Sequence, residues 1–352
     1  MPGLTPPLRG NSGSVARTGG WRRAGSRGRF RYLDSHGDRI TDPDRIARIE
    51  ALVIPPAWRD VWISPRPGAK LQATGLDAAG RRQYLYHPEF RAAQEQAKYD
   101  RLILFAERLP ALREAMATHM DHEGLDRERI SAVALRLIDI GWFRVGSDRY
   151  AKTSKTFGIT TLSKRHVLVR GSRIAFRYRG KHKVWVHTAV ADAELAGVIK
   201  ELLAVRGGRR LFRYEWEGDL CNLSGTRLND YVRIYLGEEF TAKDFRTWGG
   251  TLLAAIGFAE RGLPETEAEA RRSVAAVMRT VADRLGNTPA VARASYVSPA
   301  VVEQYLDGRT IDDFRPRHLR VVGARDINLD REEQALLSLL RSWRIRRARL
   351  SA

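Results

Sequence analysis

Short alternating runs dominate the first hundred residues, and longer amphipathic runs dominate the rest. FRYLD (residues 30–34) and VWIS (61–64) mix apolar and polar positions with the period of two that predicts strands. KLQATGLDAAGRRQYLYH (70–87) is two such runs around Asp77-Ala-Ala-Gly80, a hairpin pattern. DPDRIARIEALV (42–53) has helical spacing, and the two prolines of IPPAW stop it. The charged run from Glu89 to Met116 predicts a long helix that carries the chain into its second half. There, ERISAVALRLIDIGWFRVG begins helical, and HVLVR, RIAFRYR and KVWVH predict three short strands with turns at Gly171-Ser172 and Gly180-Lys181-His182. Beyond Val190 the pattern reads as helices, ending in the amphipathic, basic-ended EEQALLSLLRSWRIRRARL.

These elements predict an α+β chain: a small β-rich N-terminal domain over 30–105, and a mostly helical domain with a small three-stranded sheet over 106–352. A length of 352 residues fits two domains better than one. Residues 1–29, which include the Gly/Ser/Arg stretch GNSGSVARTGGWRRAGSRGR, are expected to be a disordered basic tail.

Charge sharpens the picture. Lys and Arg number 61 against 41 acids, a net charge of +20. Only nine of the 61 are lysines; GC-biased coding accounts for that ratio but not for the excess over acids. Arginine forks match phosphate, so a polyanion, nucleic acid above all, is the expected partner. The single cysteine, Cys221, allows no intrachain disulfide, no apolar run has the length of a membrane span, and no signal-peptide core is visible, so a cytoplasmic, nucleoid-associated protein is expected.

The search for chemistry eliminates several classes. Gly180-Lys181 is followed by His182 where a phosphate-binding loop needs Ser or Thr. His119 and His122 lie three apart with no third ligand nearby in sequence, and no clustered acids suggest a two-metal nuclease. No cofactor and no metal are expected. Phosphoryl transfer by side chains alone needs a nucleophile, cations around the non-bridging oxygens and a proton donor for the leaving oxygen. Four segments supply such residues: Arg144 in IGWFRVGSDRYAK, Lys181 in FRYRGKHKVWVH, Arg246 in AKDFRTWGGT, and Asn287 with Tyr296 in LGNTPAVARASY. Five of the nine lysines fall between residues 152 and 183. Each residue also has an ordinary reading: surface ion pairs for the arginines, a solvated turn for Lys181, a packed aromatic for Tyr296, a helix cap for Asn287. Composition and spacing leave these open.

Taken in order, the residues resemble those of the type IB DNA topoisomerases, in particular the compact poxvirus-like branch also found in bacteria. The likeness runs from about Phe30 to Gly308. Arg144 in FRVG, Lys181 in GK, Arg246 in KDFRTWG and Tyr296 match the family's first arginine, β-turn lysine, second arginine and tyrosine nucleophile. GRRQYLYH resembles a DNA-contacting segment of the family, which carries over Gln83, Tyr84 and Tyr86 as DNA contacts, and Tyr150 matches a phosphate contact. One position departs: Asn287 stands where the viral enzymes have histidine. An amide NH₂ still donates a hydrogen bond but carries no charge.

The resemblance implies a monomeric two-lobed clamp on duplex DNA, without membrane association, that relaxes supercoils through a 3′-phosphotyrosyl intermediate without ATP. Two alternatives stand beside it. A tyrosine recombinase shares the chemistry but typically has His three residues before the second arginine, where this chain has Lys243. A non-catalytic architectural protein accounts for the charge but not for the ordered set of residues.

Overall fold

The computed structural model describes residues 19–26, 29–78, 80–315 and 328–350, with backbone alone for 91–96, 98 and 350. Most of the expected tail, and Ala79 of the predicted hairpin turn, lie outside the described residues. The chain divides into two compact units, Met1–Lys98 and Tyr99–Ala352. The division falls at Lys98 rather than at residue 105, because Tyr99, Leu102, Ile103 and Phe105 are already buried in the second unit's core.

The first unit contains β1 (Trp21–Ala24), β2 (Arg31–Leu33), α1 (Pro43–Ala51), β3 (Arg59–Ile63), β4 (Leu71–Leu76) and β5 (Arg82–Tyr86). The strands form one antiparallel sheet in the order β2-β1-β3-β4-β5. Pro43 opens α1, and the Asp42 carboxylate accepts from the amides of Asp44 and Arg45, a capped helix start. Trp21, Ile40, Ile49, Val61, Ile63 and Ala73 make the core.

One expectation is corrected here. Residues 21–24 belong to the stretch read as a disordered tail, yet β1 pairs on both sides within the sheet. Three contacts make this short basic run fold. The Trp21 ring is buried with the guanidiniums of Arg45 and Arg48 above it at 5.8 and 5.5 Å. Arg23 donates to the carbonyls of Ile54, Pro55 and Trp58. Gly20 lies so close to the Trp62 indole that a Cβ would fall 1.8 Å from Nε1.

A long helix, α2 (Pro88–Met120), crosses into the second unit. There follow α3 (Arg127–Gly141), α4 (Asp148–Thr153), β6 (Val167–Arg170), β7 (Arg173–Arg179), β8 (Trp185–Ala191) and α5 (Ala193–Ala204). Then come β9 (Arg213–Trp216), β10 (Asp219–Asn222), α6 (Gly225–Leu236), α7 (Asp244–Arg261), α8 (Glu267–Leu285), α9 (Pro289–Tyr296), α10 (Pro299–Leu306) and α11 (Arg331–Leu350). The predicted three-stranded sheet is present, antiparallel in the order β6-β7-β8. The hairpin β9–β10 is a second correction, because it interrupts a region read as wholly helical. Its strands are short and rich in charge, which hides their alternation. The Glu217-Gly218 turn, with φ of 52° and 85°, is the left-handed pair that tight hairpins use.

Within this unit α7 is central. Every residue from Phe245 to Leu252 is buried, as expected of a helix covered on all faces, and α8, α9, α10 and α11 pack on it. Among the described residues no helix is long and apolar enough to cross a membrane.

Candidate active site

Arg144 follows α3 on a loop that begins with a sharp reversal. Trp142 caps α3 in the left-handed region, at φ 49°. The loop is then tied down: the Ile159 amide donates to the Arg144 carbonyl at 2.8 Å, and the Thr160 amide donates to Val145 at 2.8 Å. The two segments touch through Gly158, where a Cβ would meet the Arg144 carbonyl and the Gly146 nitrogen at 2.5 Å each. The half-buried Arg144 guanidinium donates to the Gly286 carbonyl at 2.9 Å and to the Asn287 side-chain oxygen at 2.6 Å.

Arg246 sits in the first turn of α7 and is 5% exposed. It has no acidic partner among the described residues. Its guanidinium donates to the carbonyls of Trp142 and Leu285, the latter at 2.7 Å, while its Nε has no partner among the described residues. Arg246 is thus a buried cation with donor capacity unused and no carboxylate to neutralise it. Burial, then the neighbouring Arg144, holds its pKa below the usual arginine value.

Tyr296 is the last residue of α9, and its ring lies under the Arg246 guanidinium at 5.0 Å. Burial alone raises its phenol pKa, but Arg246, Arg144 and Lys243 outweigh burial and bring it below the ordinary tyrosine value. The backbone at Tyr296 is held by α7: the Thr251 hydroxyl lies 3.2 Å from the Tyr296 carbonyl and accepts from the Ser298 amide at 3.1 Å. Gly250 permits that approach, since a Cβ there would meet the Tyr296 carbonyl oxygen at 2.7 Å.

At Asn287 the backbone makes a helix cap, while the side chain turns to Arg144. Gly286 caps α8 at φ 60°, and the Asn287 amide reaches back to the Ala282 carbonyl at 2.8 Å, completing a Schellman-type cap. The side chain is not needed for the cap. Its oxygen receives Arg144, and its Nδ2 is buried without a partner among the described residues.

The structure therefore brings Arg144, Arg246, Asn287 and Tyr296 together. It does not join Lys181 to them. That residue is exposed, in a single 3-10 turn (Lys181–Lys183) between β7 and β8, and among the described residues no hydrogen bond links it to the other four. Its turn is held by two consecutive left-handed non-glycine residues, His182 and Lys183, at φ 60° and 61°.

In the first unit, Tyr84 and Tyr86 share the outward face of edge strand β5, stacked at 6.2 Å and 49% and 42% exposed. Gln83 points to the other face, where its amide donates to Asp77 at 2.8 Å. Tyr150 is exposed on α4.

Two residues near the site were not among the sequence candidates. Lys243, noted only for its spacing from Arg246, stands just before the start of α7 and acts electrostatically on Tyr296. Tyr178 of β7 is buried and lies in the field of Arg144 and Arg246, yet burial dominates and pushes its phenol up to about 12. The same two arginines thus face one phenol tuned down and another tuned up. The alternation RIAFRYR, which turns Tyr178 inward beside Ile174 and Phe176, was the available signal.

Comparison with known proteins shows the family. The catalytic core of eukaryotic DNA topoisomerase I matches residues 87–312, and the N-terminal domain of bacterial DNA topoisomerase IB matches residues 29–77. The DNA topoisomerase 1B of Acanthamoeba polyphaga mimivirus is 31% identical over 284 residues, spanning 78% of this chain and 84% of that protein. The vaccinia virus (strain Copenhagen) DNA topoisomerase 1B is 22% identical over 251 residues, covering 69% and 75%. The DNA topoisomerase 1 of rabbit fibroma virus is 23% identical over 256 residues, covering 70% and 76%. With matches to both of its units and a viral relative alike over most of both lengths, the chain belongs to the type IB DNA topoisomerase family.

Proposed function

We propose that the protein relaxes supercoiled DNA by breaking and resealing one strand through Tyr296. The phenol oxygen attacks a backbone phosphorus as the bond to the 5′-oxygen breaks. This leaves a 3′-phosphotyrosyl link and a 5′-hydroxyl, which takes up a proton. The duplex beyond the break rotates. The 5′-hydroxyl then gives up its proton, attacks the phosphotyrosine and restores both the strand and the phenol. One phosphodiester is exchanged for another, so no nucleotide hydrolysis is required and supercoils of either sign relax.

The observation that supports this reading best is the Tyr296 ring under the guanidinium of Arg246, a buried cation with no carboxylate partner among the described residues. A site that stabilises phenolate also stabilises the anionic pentacoordinate phosphorus that replaces it. In this reading Arg144, Arg246 and Asn287 donate to the non-bridging oxygens, and Lys181 protonates the leaving 5′-oxygen. The exposed place of Lys181 suits a residue that meets its target only with DNA bound. Tyr84, Tyr86, Gln83 and Tyr150 contact the duplex, and the protein acts as a monomer.

Negatively supercoiled plasmid incubated with the protein in EDTA, without ATP, is expected to relax completely through a ladder of topoisomers. Unchanged linking number would leave a DNA-binding protein without this chemistry. Products joined between two paired sites would point to a recombinase.

Asn287→Ala gives a sharper test. The cap is made by backbone atoms, so the variant should melt within the roughly 2–4 °C that a lost kcal/mol costs a domain of this size. Loss of a transition-state donor typically costs about 10²–10³ in rate, so single-turnover cleavage should slow by about a hundredfold, the lower end of that range. Asn287→His, which again presents an N–H, should remain active. An Asn287→Ala protein that cleaves normally removes Asn287 from the site.

A further inference from the structure

We propose that Glu333, on a helix beyond the matched catalytic core, is a positioning residue for the active site: through Trp248 and Arg113 it fixes the two helices that present Arg246 and Arg144. The inference rests on the assignment of Tyr296, Arg246 and Arg144 made above.

The matched core ends at residue 312, whereas α11 begins at Arg331. Glu333 is in the first turn of α11 and is 4% exposed. One carboxylate oxygen accepts from the Trp248 indole N–H at 2.9 Å and from Arg113 Nη2 at 2.9 Å. The other accepts from Arg113 Nη1 at 2.8 Å and from the Asp330 amide at 3.0 Å. Arg113, from α2, also donates to both oxygens of Asp139 at 2.9 and 3.0 Å. Trp248 lies two residues after Arg246 on α7, and Asp139 lies on α3, five residues before Arg144. A single carboxylate is thereby joined to the supports of both arginines.

An ordinary core ion pair is a poor account of this arrangement. Burying such a pair costs desolvation that the attraction often only offsets, and apolar replacements of similar volume are frequently no less stable. The helix does not need it for attachment: Ala335, Leu336, Leu339 and Leu340 already bury its apolar face. What the network adds is direction. Burial raises the Glu333 pKa, but hydrogen bonds and charge from Arg113, with the Trp248 N–H, outweigh it and keep the carboxylate ionised, with four donors converging on its two oxygens. Asp139, Arg136 and Asp330 are further charges around Arg113.

The readout is the nucleophile. The groups that bear on the Tyr296 phenol are Arg246 and Lys243 from α7 and the position just before it, and Arg144 from the loop after α3. Tyr178 of β7 faces the same two arginines. If the first turns of α7 shift, Arg246 moves against a Tyr296 backbone that is held further along the same helix at Thr251, and the phenol becomes a weaker acid.

Full-length Glu333→Gln, Trp248→Phe and the double variant are to be compared with the parent in single-turnover cleavage of a duplex from pH 6 to 10, roughly the span over which a tuned phenol titrates. Binding to the same duplex and melting temperature are measured in parallel. Each single variant should bind DNA as the parent does and cleave about tenfold more slowly near neutrality. Its half-maximal rate should move up by about one pH unit, since one unit is a tenfold change in phenolate population. The double variant should be no slower than the slower single, because both break the same link. An unchanged pH midpoint, or additive losses, overturns the proposal and leaves Glu333 a core ion pair. Should Glu333→Gln fail to fold, Trp248→Phe, which keeps an aromatic ring but loses the indole N–H and some buried volume, is read beside its melting temperature, and its pH midpoint decides the question alone. A parent protein that forms no adduct at Tyr296 refutes the proposed mechanism, a result distinct from either outcome above.

Discussion

Tyr296→Phe is expected to bind duplex DNA as the parent does and to form no covalent adduct at all. The ring under Arg246 is retained, so packing and the guanidinium contact survive, and only the attacking oxygen is lost. With the scissile strand labelled at its 5′ end, the labelled fragment stays with the parent protein on a denaturing gel and should stay with none of the variant. Residual adduct would move the nucleophile elsewhere. The other tyrosines nearby are poor substitutes: Tyr305 is fully buried, stacked on Phe258 at 4.3 Å and donating to the Gly262 carbonyl, and Tyr178 is held protonated by burial. The parent has a pH signature of its own. Phenolate is the reactive form and the three nearby cations favour it, so cleavage should rise with pH and level off below the ordinary phenol value near 10, about where free tyrosine titrates.

Arg246→Ala and Lys181→Ala should both be severely slowed, but only one should recover when the leaving 5′-oxygen is replaced by sulfur. General-acid catalysis is worth about 10²–10⁴ in rate, and a thiolate leaves without a proton, so the sulfur substrate should restore most of what Lys181→Ala loses. Arg246 serves the charge on the non-bridging oxygens, a loss of about 10²–10³ for one donor of that kind, and sulfur does not replace it. Arg246→Ala also leaves the Trp142 and Leu285 carbonyls without their donor, so its melting temperature must be recorded alongside. Equal rescue of both variants removes the acid role from Lys181.

The strands and helices with clean periodicity were legible, from the hairpin β4–β5 to the sheet β6-β7-β8. What escaped had a physical reason in each case. The run WRRA looked like tail because its order comes from partners far along the chain, the Trp58 carbonyl and the Trp62 ring among them. The hairpin around Glu217-Gly218 escaped because strands of four residues carry too few apolar positions to display a period. At the site, Arg144, Arg246, Asn287 and Tyr296 were candidates from their local context, and their convergence depended on close approaches at Gly158 and Gly250 that no window of sequence displays. Lys243 and Tyr178 act only through space. Glu333 lay in a helix that read as simply amphipathic, and its attachment to Trp248 spans 85 positions of chain.

The cap at the end of α8 has a consequence for how this site can change. Because Gly286 and the Asn287 backbone close the helix, the side chain at 287 is not needed for the helix end, and its hydrogen bond is to Arg144 of the site. A library randomised at that one position should therefore yield mostly soluble, native proteins whose rates differ while their melting temperatures cluster. Catalytic proficiency becomes a separable trait there, one that can drift or be selected without passing through misfolded intermediates.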